Sequence, residues 1–249
     1  MPSVAVIIPA AGQSSRFGGP DKKPFTSLDG RPVWQRSAEL FWTRADVSKV
    51  YLVIAPDDRD EFRSRFAHLL AFTNAEIVDG GAERFDSVAN ALARIPESVD
   101  LVAVHDAVRP LGTQALVDAV FAAAAKTGAA MLAIPVADTL KRVDAATNLI
   151  LETVPRAGLW QAQTPQVFRR DWLVEAYSRR SEFPGSLTDD AQLIEALGHA
   201  VSVVLGSPLN FKITTKDDLN LAELIVKSRE VKQPDRPSLG FSERSEERR

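Results

Sequence analysis

Short apolar runs alternate along the chain with longer amphipathic stretches, and this alternation constrains the fold more than any other feature. Runs that are apolar on both faces of the pleat are typical of buried strands in a parallel sheet. The predicted strands are Val4 to Ile8, Val50 to Ile54, Glu76 to Val78, Leu101 to Val104 and Met131 to Val136. The helical patterns between them are Trp34 to Trp42, Asp57 to Leu70, Arg84 to Ile95 and Thr113 to Lys126. This order predicts an α/β fold, doubly wound around a mostly parallel sheet with right-handed crossovers.

The composition excludes several classes of function. The 249 residues allow one large domain or two small ones, and 30 basic against 33 acidic residues give a net charge of −3. That balance provides no general basic excess for binding nucleic acid. The chain has no cysteine, which excludes disulfides, thiolate metal sites and cysteine nucleophiles, and its three histidines are too scattered for a histidine-rich metal site.

The apolar stretches and the first residues of the chain bear on its location. The longest apolar stretches are far shorter than the ~20 residues that a membrane-spanning helix needs. The residues after Met1 do not show a basic segment leading into a signal-like apolar stretch. We therefore expect a cytoplasmic protein without a membrane or nucleic-acid partner.

The strand and helix pattern breaks at about residues 138–156. This segment carries mixed charge and isolated apolar residues, which predicts a β-hairpin, or arm, that projects from the sheet. Because its apolar content is too low to bury the arm on its own, we expect it to pack against another chain. Core-like sequence resumes at Leu159 to Phe168, and Val201 to Leu205 predicts another strand.

The carboxyl-terminal part contains two predicted helices and a predicted tail. Thr188 is a candidate N-cap for a helix that ends before Gly198. Phe211 to Ile213 is predicted as a short edge strand. Thr215 and Asp218 form a capping-box-like start for a last helix that runs to about Lys227. Residues 1–227 are thus predicted as a single domain, and the polar, charged residues 228–249 as a disordered tail.

The segment after the first predicted strand favours phosphate binding. It reads Pro9-Ala10-Ala11-Gly12-Gln13-Ser14-Ser15-Arg16, followed by Lys23. Ligands bind at the carboxyl ends of parallel strands, and small residues allow backbone N–H groups to approach a phosphate closely. The two cations suit a nucleoside triphosphate, although an ordinary strand-to-helix turn with solvated charges fits the same residues. The segment matches neither a Walker loop nor a dinucleotide fingerprint.

Three further segments carry candidate binding residues. Asp106 and Arg109 follow the fourth predicted strand, where they face a ligand or form a loop ion pair. Gly80 and Gly81 precede a predicted helix and place backbone donors at its start, an arrangement that a plain loop also explains. Lys212 alternates with Phe211 and Ile213, so that its side chain faces either solvent or a cleft.

Taken in order, these segments resemble a known family. Seven short motifs follow one another along the chain at the spacings that the family shows. In order, they are Ala-Ala-Gly with Arg16 and Lys23, Gly-Gly-Ala-Glu-Arg, His-Asp-Ala-Val-Arg-Pro, Pro-Val-Ala-Asp-Thr, Gln-Thr-Pro-Gln, Thr-Asp-Asp and Phe-Lys-Ile-Thr. The series resembles the 2-C-methyl-D-erythritol 4-phosphate cytidylyltransferases over roughly residues 3 to 226. The resemblance implies a Rossmann-like nucleotidyltransferase fold and a homodimer whose arm completes the neighbour's site. It also implies transfer of CMP from CTP to a sugar-alcohol phosphate, with Mg²⁺ as cofactor.

The resemblance assigns roles to individual residues. Those matching the family's catalytic cations are Arg16, Lys23, Arg156 and Lys212. Those matching its nucleotide-binding loops are Ala10, Ala11, Gly12, Gly81, Ser87 and Ala107. Those matching the surroundings of the acceptor phosphate are Asp106, Arg109, Thr139 and Thr188. Thr139 and Arg156 match arm residues that reach the partner subunit's site, and the resemblance leaves the metal ligands unassigned.

Two departures from the family pattern and two alternative functions remain open at this point. Ser14 stands where the family usually has a second glycine, and the run Lys22-Lys23-Pro24 replaces its usual Pro-Lys-Gln. Counting from Arg16 favours Lys23 as the family's lysine, with Lys22 as its competitor. The alternatives are a cytidylyltransferase for another polyol phosphate, such as ribitol 5-phosphate, and a non-catalytic nucleotide-binding module.

Overall fold

The computed structural model describes residues 2–12, 22–71, 73–183 and 187–231. Within these ranges a seven-stranded sheet carries helices on both faces, as the alternating sequence pattern predicts. The sheet contains β1 (Val4–Pro9), β4 (Val47–Ile54), β5 (Ala75–Asp79), β6 (Leu101–Val104), β7 (Ala129–Pro135), β10 (Trp160–Arg169) and β11 (Ser202–Leu205). Two hairpins pair β2 (Ser27–Leu28) with β3 (Arg31–Pro32), and β8 (Leu140–Val143) with β9 (Ile150–Val154). The α-helices are α1 (Val33–Ala38), α2 (Arg59–Leu70), α3 (Arg84–Leu92), α4 (Gln114–Thr127), α5 (Arg170–Ser178), α6 (Asp190–Ala196) and α7 (Lys216–Val231).

The strand order brings the ends of the parallel strands to one edge of the sheet. The order is β11-β7-β10-β6-β1-β4-β5. Strand β10 runs antiparallel between β6 and β7, whereas the pairs β1 with β4, β1 with β6 and β4 with β5 are parallel. The carboxyl ends of β1, β4, β5 and β6 therefore meet at one edge, which is called the carboxyl edge below. In open α/β sheets this edge is where ligands bind.

Each face of the sheet buries its own apolar cluster. Helices α1, α2 and α4 cover one face, where Trp34 packs on Phe62 with ring centroids 5.1 Å apart. Helices α3, α5 and α6 cover the other face. A third cluster joins α7 to Val108, Leu111 and Ile213. Burial of both sheet faces explains why the strand sequences are continuously apolar rather than alternating.

The predicted hairpin is present, and three details of the carboxyl-terminal prediction are wrong. Residues 211–213 do not form an edge strand; instead the Ile213 N–H donates to the carbonyl of Val108 at 2.9 Å. The N-cap of α6 is Asp189 rather than Thr188, because the Asp189 carboxylate accepts from the Gln192 N–H. Helix α7 extends to Val231, past Lys227, so residues 228–231 of the predicted tail are helical.

Other predictions are confirmed or lie outside the described ranges. The reciprocal hydrogen bonds between Thr215 and Asp218 at the start of α7 form the predicted cap. Among the described helices, none is both long and apolar enough to cross a bilayer. Residues 232–249 of the predicted tail lie outside the described ranges.

Candidate active site

A cavity of about 270 Å³ opens at the carboxyl edge of the sheet. It gathers segments that are far apart in sequence, from the ends of β1 and β6, the start of α3 and the loop before α7. The predicted site residues that line it are Ala10, Ala11, Gly12, Lys23, Gly81, Ser87, Asp106, Ala107 and Lys212. A second cavity, of about 750 Å³, lies at the opposite edge and contains none of the predicted site residues.

Small residues shape the wall of the cavity between β1 and α3. Gly80 must remain a glycine, because a Cβ there would lie 2.6 Å from the Cβ of Ala11. Gly81 is equally constrained, because a Cβ there would collide with the Cβ of Asp86. The Gly81 N–H donates to the buried hydroxyl of Ser87 at 3.1 Å. The backbone of this turn is thereby fixed at the start of α3, where amide groups favour a negative charge.

Asp106 stands at the centre of a group of cations. Its carboxylate lies 3.0 Å from Lys212 Nζ, 3.2 Å from Arg109 Nε and 3.9 Å from Arg84 Nε. Burial alone would raise the pKa of Asp106, but Lys212, Arg84 and Arg109 outweigh it and hold the pKa well below its usual range. Asp106 is therefore ionised at neutral pH, and its three cationic neighbours exceed its own charge.

His105 fixes the loop that carries Asp106. The Asp106 N–H donates to Thr164 Oγ1 at 3.0 Å, and the Thr164 hydroxyl lies 3.1 Å from His105 Nδ1. Nε2 of His105 lies 3.2 Å from the carbonyl of Arg109, which assigns the proton to Nε2 and makes Nδ1 the acceptor. Burial lowers the pKa of His105 to about 4, so the ring is neutral at pH 7. Both ring nitrogens are engaged, and His105 is a scaffold for the loop.

The structure distinguishes the two neighbouring lysines. Lys22 Nζ lies 2.8 and 2.6 Å from the two carboxylate oxygens of Asp58, and Lys22 does not line the cavity. Lys23 is buried in a short 3₁₀ turn, Lys23–Phe25, and lines the cavity. Lys23, the position favoured by counting from Arg16, is therefore the lysine of the two that lines the cavity. Arg16 itself lies outside the described residues.

Comparisons with known proteins identify the family of the chain. The family model described as IspD, 2-C-methyl-D-erythritol 4-phosphate cytidylyltransferase, matches residues 4–228. The chain belongs to this family. A cytidylyltransferase of that name from Rhodopirellula baltica is 43% identical over 235 residues, covering 90% of this chain and 95% of the relative.

Solved structures of IspD proteins share the fold of the chain. The crystal structure of 2-C-methyl-D-erythritol 4-phosphate cytidylyltransferase from Thermus thermophilus has a TM-score of 0.71 and 35% identity, covering 90% of this chain and 99% of that one. The 4-diphosphocytidyl-2C-methyl-D-erythritol synthase from Anaerococcus prevotii has a TM-score of 0.77 at 28% identity, covering 91% and 96%. The IspD fold is thus the mostly parallel α/β arrangement expected from the sequence.

Four of the predicted residues that the structure describes do not line the cavity of this IspD chain. Thr139 immediately precedes β8 and Arg156 follows β9, and both are exposed on the arm. Thr188 is exposed before α6, and its N–H donates to Gln192 Oε1 at 2.7 Å. Arg109 is adjacent to the cavity through its ion pair with Asp106, and it also donates to the carbonyl of Asn210 at 2.9 Å.

Sequence reasoning overlooked two residues that shape the site. Arg84 lines the cavity as the first residue of α3, although its segment reads as a simple glycine-containing loop. Thr164 connects His105 to the backbone of Asp106. The signal for Thr164 was a polar Gln-Thr-Pro-Gln run inside an otherwise core-like strand, because buried polar residues must have hydrogen-bond partners.

The described residues do not form a protein-held magnesium site. Among them, no group of three or more His, Cys, Asp or Glu side chains is placed to hold a metal ion. Two carboxylates line the cavity: Asp106 is surrounded by cations, and Glu83 accepts a backbone N–H in the cap of α3. Mg²⁺ commonly binds through one or two carboxylates together with substrate phosphates and water. Both cavity carboxylates are already engaged, so the donor set does not suit a resident ion.

Proposed function

We propose that this chain transfers CMP from CTP to 2-C-methyl-D-erythritol 4-phosphate. The products are 4-diphosphocytidyl-2-C-methyl-D-erythritol, an isoprenoid precursor, and pyrophosphate. One observation carries the proposal: Lys23 and Lys212, almost two hundred residues apart in sequence, line a single cavity with the small residues after β1 and before α3. Two anionic phosphates need such an arrangement of cations in order to approach each other.

CTP is assigned to the wall formed by β1, α3 and the end of β6. Small side chains leave room there for backbone N–H groups to contact the base, the ribose or the phosphates. A Cβ on Gly12 would meet no atom of the described residues within 4 Å, which suits a close approach of the nucleotide to this backbone. The proposed CTP contacts are Ala10, Ala11, Gly12, Gly81, Ser87 and Ala107.

The reaction needs charge stabilisation rather than a general base. A phosphate monoester has a second pKa of about 6 and is already an anionic nucleophile at pH 7. One of its oxygens forms a bond to the α-phosphorus of CTP, and the bond from that phosphorus to the bridging oxygen breaks. The electron pair leaves with pyrophosphate. Lys23 and Arg16 are proposed to stabilise the negative charge on the α-phosphate and the leaving group.

The acceptor phosphate is assigned to Lys212 and Arg156. Lys212 lies at the carboxyl edge beside Asp106. Its side chain lines the cavity and is 41% exposed. Asp106 and Arg109, which lie beside Lys212, are proposed to surround the rest of the acceptor together with Thr188 and with Thr139 from the arm of the neighbouring subunit. Holding the nucleophile beside the α-phosphate makes the encounter nearly intramolecular.

A homodimer is proposed because the arm offers both apolar surface and site residues. Its strand β9 exposes Ile150 and Leu151 by 63% and 61%, and Leu149 beside them is exposed as well. A two-stranded hairpin of this kind is not stable by burial within its own chain. Thr139 and Arg156, which line no described cavity of their own chain, are proposed to enter the site of the partner.

Magnesium is proposed to arrive with CTP, coordinated by triphosphate oxygens and water. Its chemistry is to neutralise charge on the triphosphate. Removing the metal with EDTA should therefore stop pyrophosphate release but leave the melting temperature of the enzyme without nucleotide unchanged. A fall in that melting temperature on chelation would indicate a resident metal and contradict the proposal.

We also propose a cytoplasmic location, without nucleic acid or membrane as partners. The support is the sequence itself, which lacks cysteine and carries a net charge of −3. Fractionation of cells that express the full chain tests the location.

The test of the activity is an assay of pyrophosphate release that crosses four nucleotides with two acceptors. CTP with 2-C-methyl-D-erythritol 4-phosphate is expected to give the highest kcat/KM. Faster reaction with ribitol 5-phosphate would replace the proposed acceptor. Binding of CTP without pyrophosphate release from any combination would favour the non-catalytic module.

A further inference from the structure

Arg84 carries a partly buried guanidinium, with 28% of its side chain exposed, that is held on the side away from the cavity. Its Nη2 donates to Asp190 Oδ2 at 2.7 Å, and Asp190, the first residue of α6, is completely buried. The hydroxyl of Tyr177 donates to the other oxygen of Asp190 at 2.5 Å. An ion pair whose carboxylate is fully buried contributes little net stability, since the cost of removing that charge from water offsets much of the attraction. The arrangement therefore calls for an explanation beyond holding α3 to α6.

The front of the same guanidinium faces the site. Its Nε lies 3.9 Å from Asp106 Oδ1, whereas Lys212 and Arg109 approach the other oxygen, Oδ2. Nη1 of Arg84 is buried and has no hydrogen-bond acceptor within the described part of the chain. Arg84 thus bridges one buried carboxylate that is remote from the cavity and one that lines it.

We propose that Arg84 is a positioning residue that fixes Asp106 during acceptor binding. This inference rests on the proposed function. An incoming phosphate attracts Lys212, which is the cation nearest to Asp106. Arg84 and Arg109 then keep the Asp106 carboxylate charged and in place, so that it can accept hydrogen bonds from the hydroxyl groups of the polyol. Asp190 and Tyr177 supply the anchor that prevents Arg84 from following the phosphate.

The chain contains a matched control arginine. Arg180 lies over the ring of Phe85 at 5.9 Å, and Arg84 lies over the same ring at 5.7 Å. Arg180 pairs with Asp86 at 2.7 Å and does not line the cavity. Arg180→Gln therefore removes an arginine from the same aromatic neighbour without removing a contact to Asp106.

The test combines Arg84→Gln, Arg84→Lys and Arg180→Gln with Asp106→Asn, and measures the KM of each substrate, kcat and the melting temperature. Misplacing a reacting group by about 1 Å costs on the order of 10²-fold, so Arg84→Gln should lower kcat/KM for the acceptor about tenfold to hundredfold. The KM for CTP should stay within about twofold of the parent value. Arg84→Lys should recover part of the loss, and Arg180→Gln should lose almost nothing.

The positioning role depends on whether the effect of Arg84→Gln on acceptor kcat/KM requires the Asp106 carboxylate. In the Asp106→Asn background, Arg84→Gln should cost less than about threefold, because the group that it positions is already altered. An undiminished loss in that background, or an equal rise in the KM of both substrates, would overturn the positioning role. If Arg84→Gln does not fold, Tyr177→Phe replaces it, with a smaller rise in acceptor KM expected and an unchanged acceptor KM contradicting the role.

The same assay separates this inference from the proposed function. A wild-type enzyme that releases no pyrophosphate with any acceptor overturns the proposed function and this inference with it. An active wild-type enzyme in which Arg84 and Asp106 act independently overturns this inference alone.

Discussion

The two cavities at opposite edges of the sheet differ in how their charges are paired. The larger one, of about 750 Å³, contains Arg169 paired with the neighbouring Asp171 at 2.6 Å, and both side chains are more than half exposed. At the carboxyl edge, the buried Asp106 is shared by three cations, and Lys23 lines the same cavity. In an exposed ion pair the two charges neutralise each other and are screened by water, so the pair attracts a charged ligand only weakly. At the carboxyl edge, by contrast, cations from distant segments converge on one buried carboxylate beside a cavity, and this arrangement of charge, rather than volume, favours the smaller cavity as the candidate site.

Lys23→Ala provides the strongest test of this contrast. Removing a cation aimed at the developing charge should lower kcat by about 10²–10³-fold while the chain stays folded. The matched control is Lys22→Ala, since Lys22 pairs with Asp58 instead of lining the cavity. If Lys23→Ala keeps a near-normal kcat, or if both variants lose kcat equally, the proposed difference in function between Lys23 and Lys22 is wrong.

Mixed dimers of two variants test whether the arm of one subunit contributes Arg156 to the cavity at the carboxyl edge of the other. Arg156→Ala and Lys23→Ala are each expected to be nearly inactive as homodimers. If the arm acts on the neighbouring subunit, random mixing of the two variants leaves about a quarter of the sites intact. Activity of the mixture is measured after the subunits have been unfolded together and refolded. No recovery would place Arg156 in the site of its own chain or outside any site.

The buried His105 at the carboxyl edge should make the free energy of unfolding depend on pH. The folded pKa of His105 is about 4, below its ordinary value of 6.5, so the unfolded chain takes up a proton first as the pH falls. The free energy of unfolding should therefore decrease between pH 6.5 and 4, by ~3 kcal/mol from this group. Urea unfolding at several pH values measures it, and His105→Gln should flatten the dependence over this range. An unchanged slope in the variant would show that other groups cause it.

The smallest effect is expected at the opposite edge. Arg169→Gln removes an exposed ion pair and should change the free energy of unfolding by less than about 1 kcal/mol. Turnover and both KM values should match those of the parent protein. A clear loss of activity would mean that the larger cavity participates in function and would invalidate the contrast between the two edges.

The sequence predicts the sheet well where burial dictates the residue pattern. The strand Leu101–Val104 has its predicted bounds. Because it is buried on both faces, every one of its residues is apolar, and the apolar run itself marks where the strand begins and ends. The direction of β10 was not predictable, since an apolar run carries no information on whether its neighbours run parallel or antiparallel. Phe211 to Ile213 was misread because alternation over three residues is too short to distinguish a strand from a loop.

The site was predictable where small residues and cations form local patterns, and not where it depends on distant partners. Lys23, Gly81 and Asp106 stand beside recognisable glycine-containing or strand-ending segments. The pairing of Arg84 with Asp190 spans 106 positions, and nothing in either segment specifies the other. Likewise, the N-cap of α6 is Asp189 instead of Thr188; both residue types are common at N-caps, and the preference of Asp over Thr is too small for the sequence to decide between adjacent candidates.

The backbone hydrogen bond from Ile213 to Val108 ties the two halves of the acceptor side together. With the Arg109 guanidinium on the carbonyl of Asn210, it joins the segment carrying Lys212 to the loop carrying Asp106 at two points. These two segments, more than one hundred positions apart, must therefore travel as a unit. Displacing the backbone that carries Lys212 would break both contacts, so we expect the acceptor side of the cavity to keep its backbone position when substrates bind.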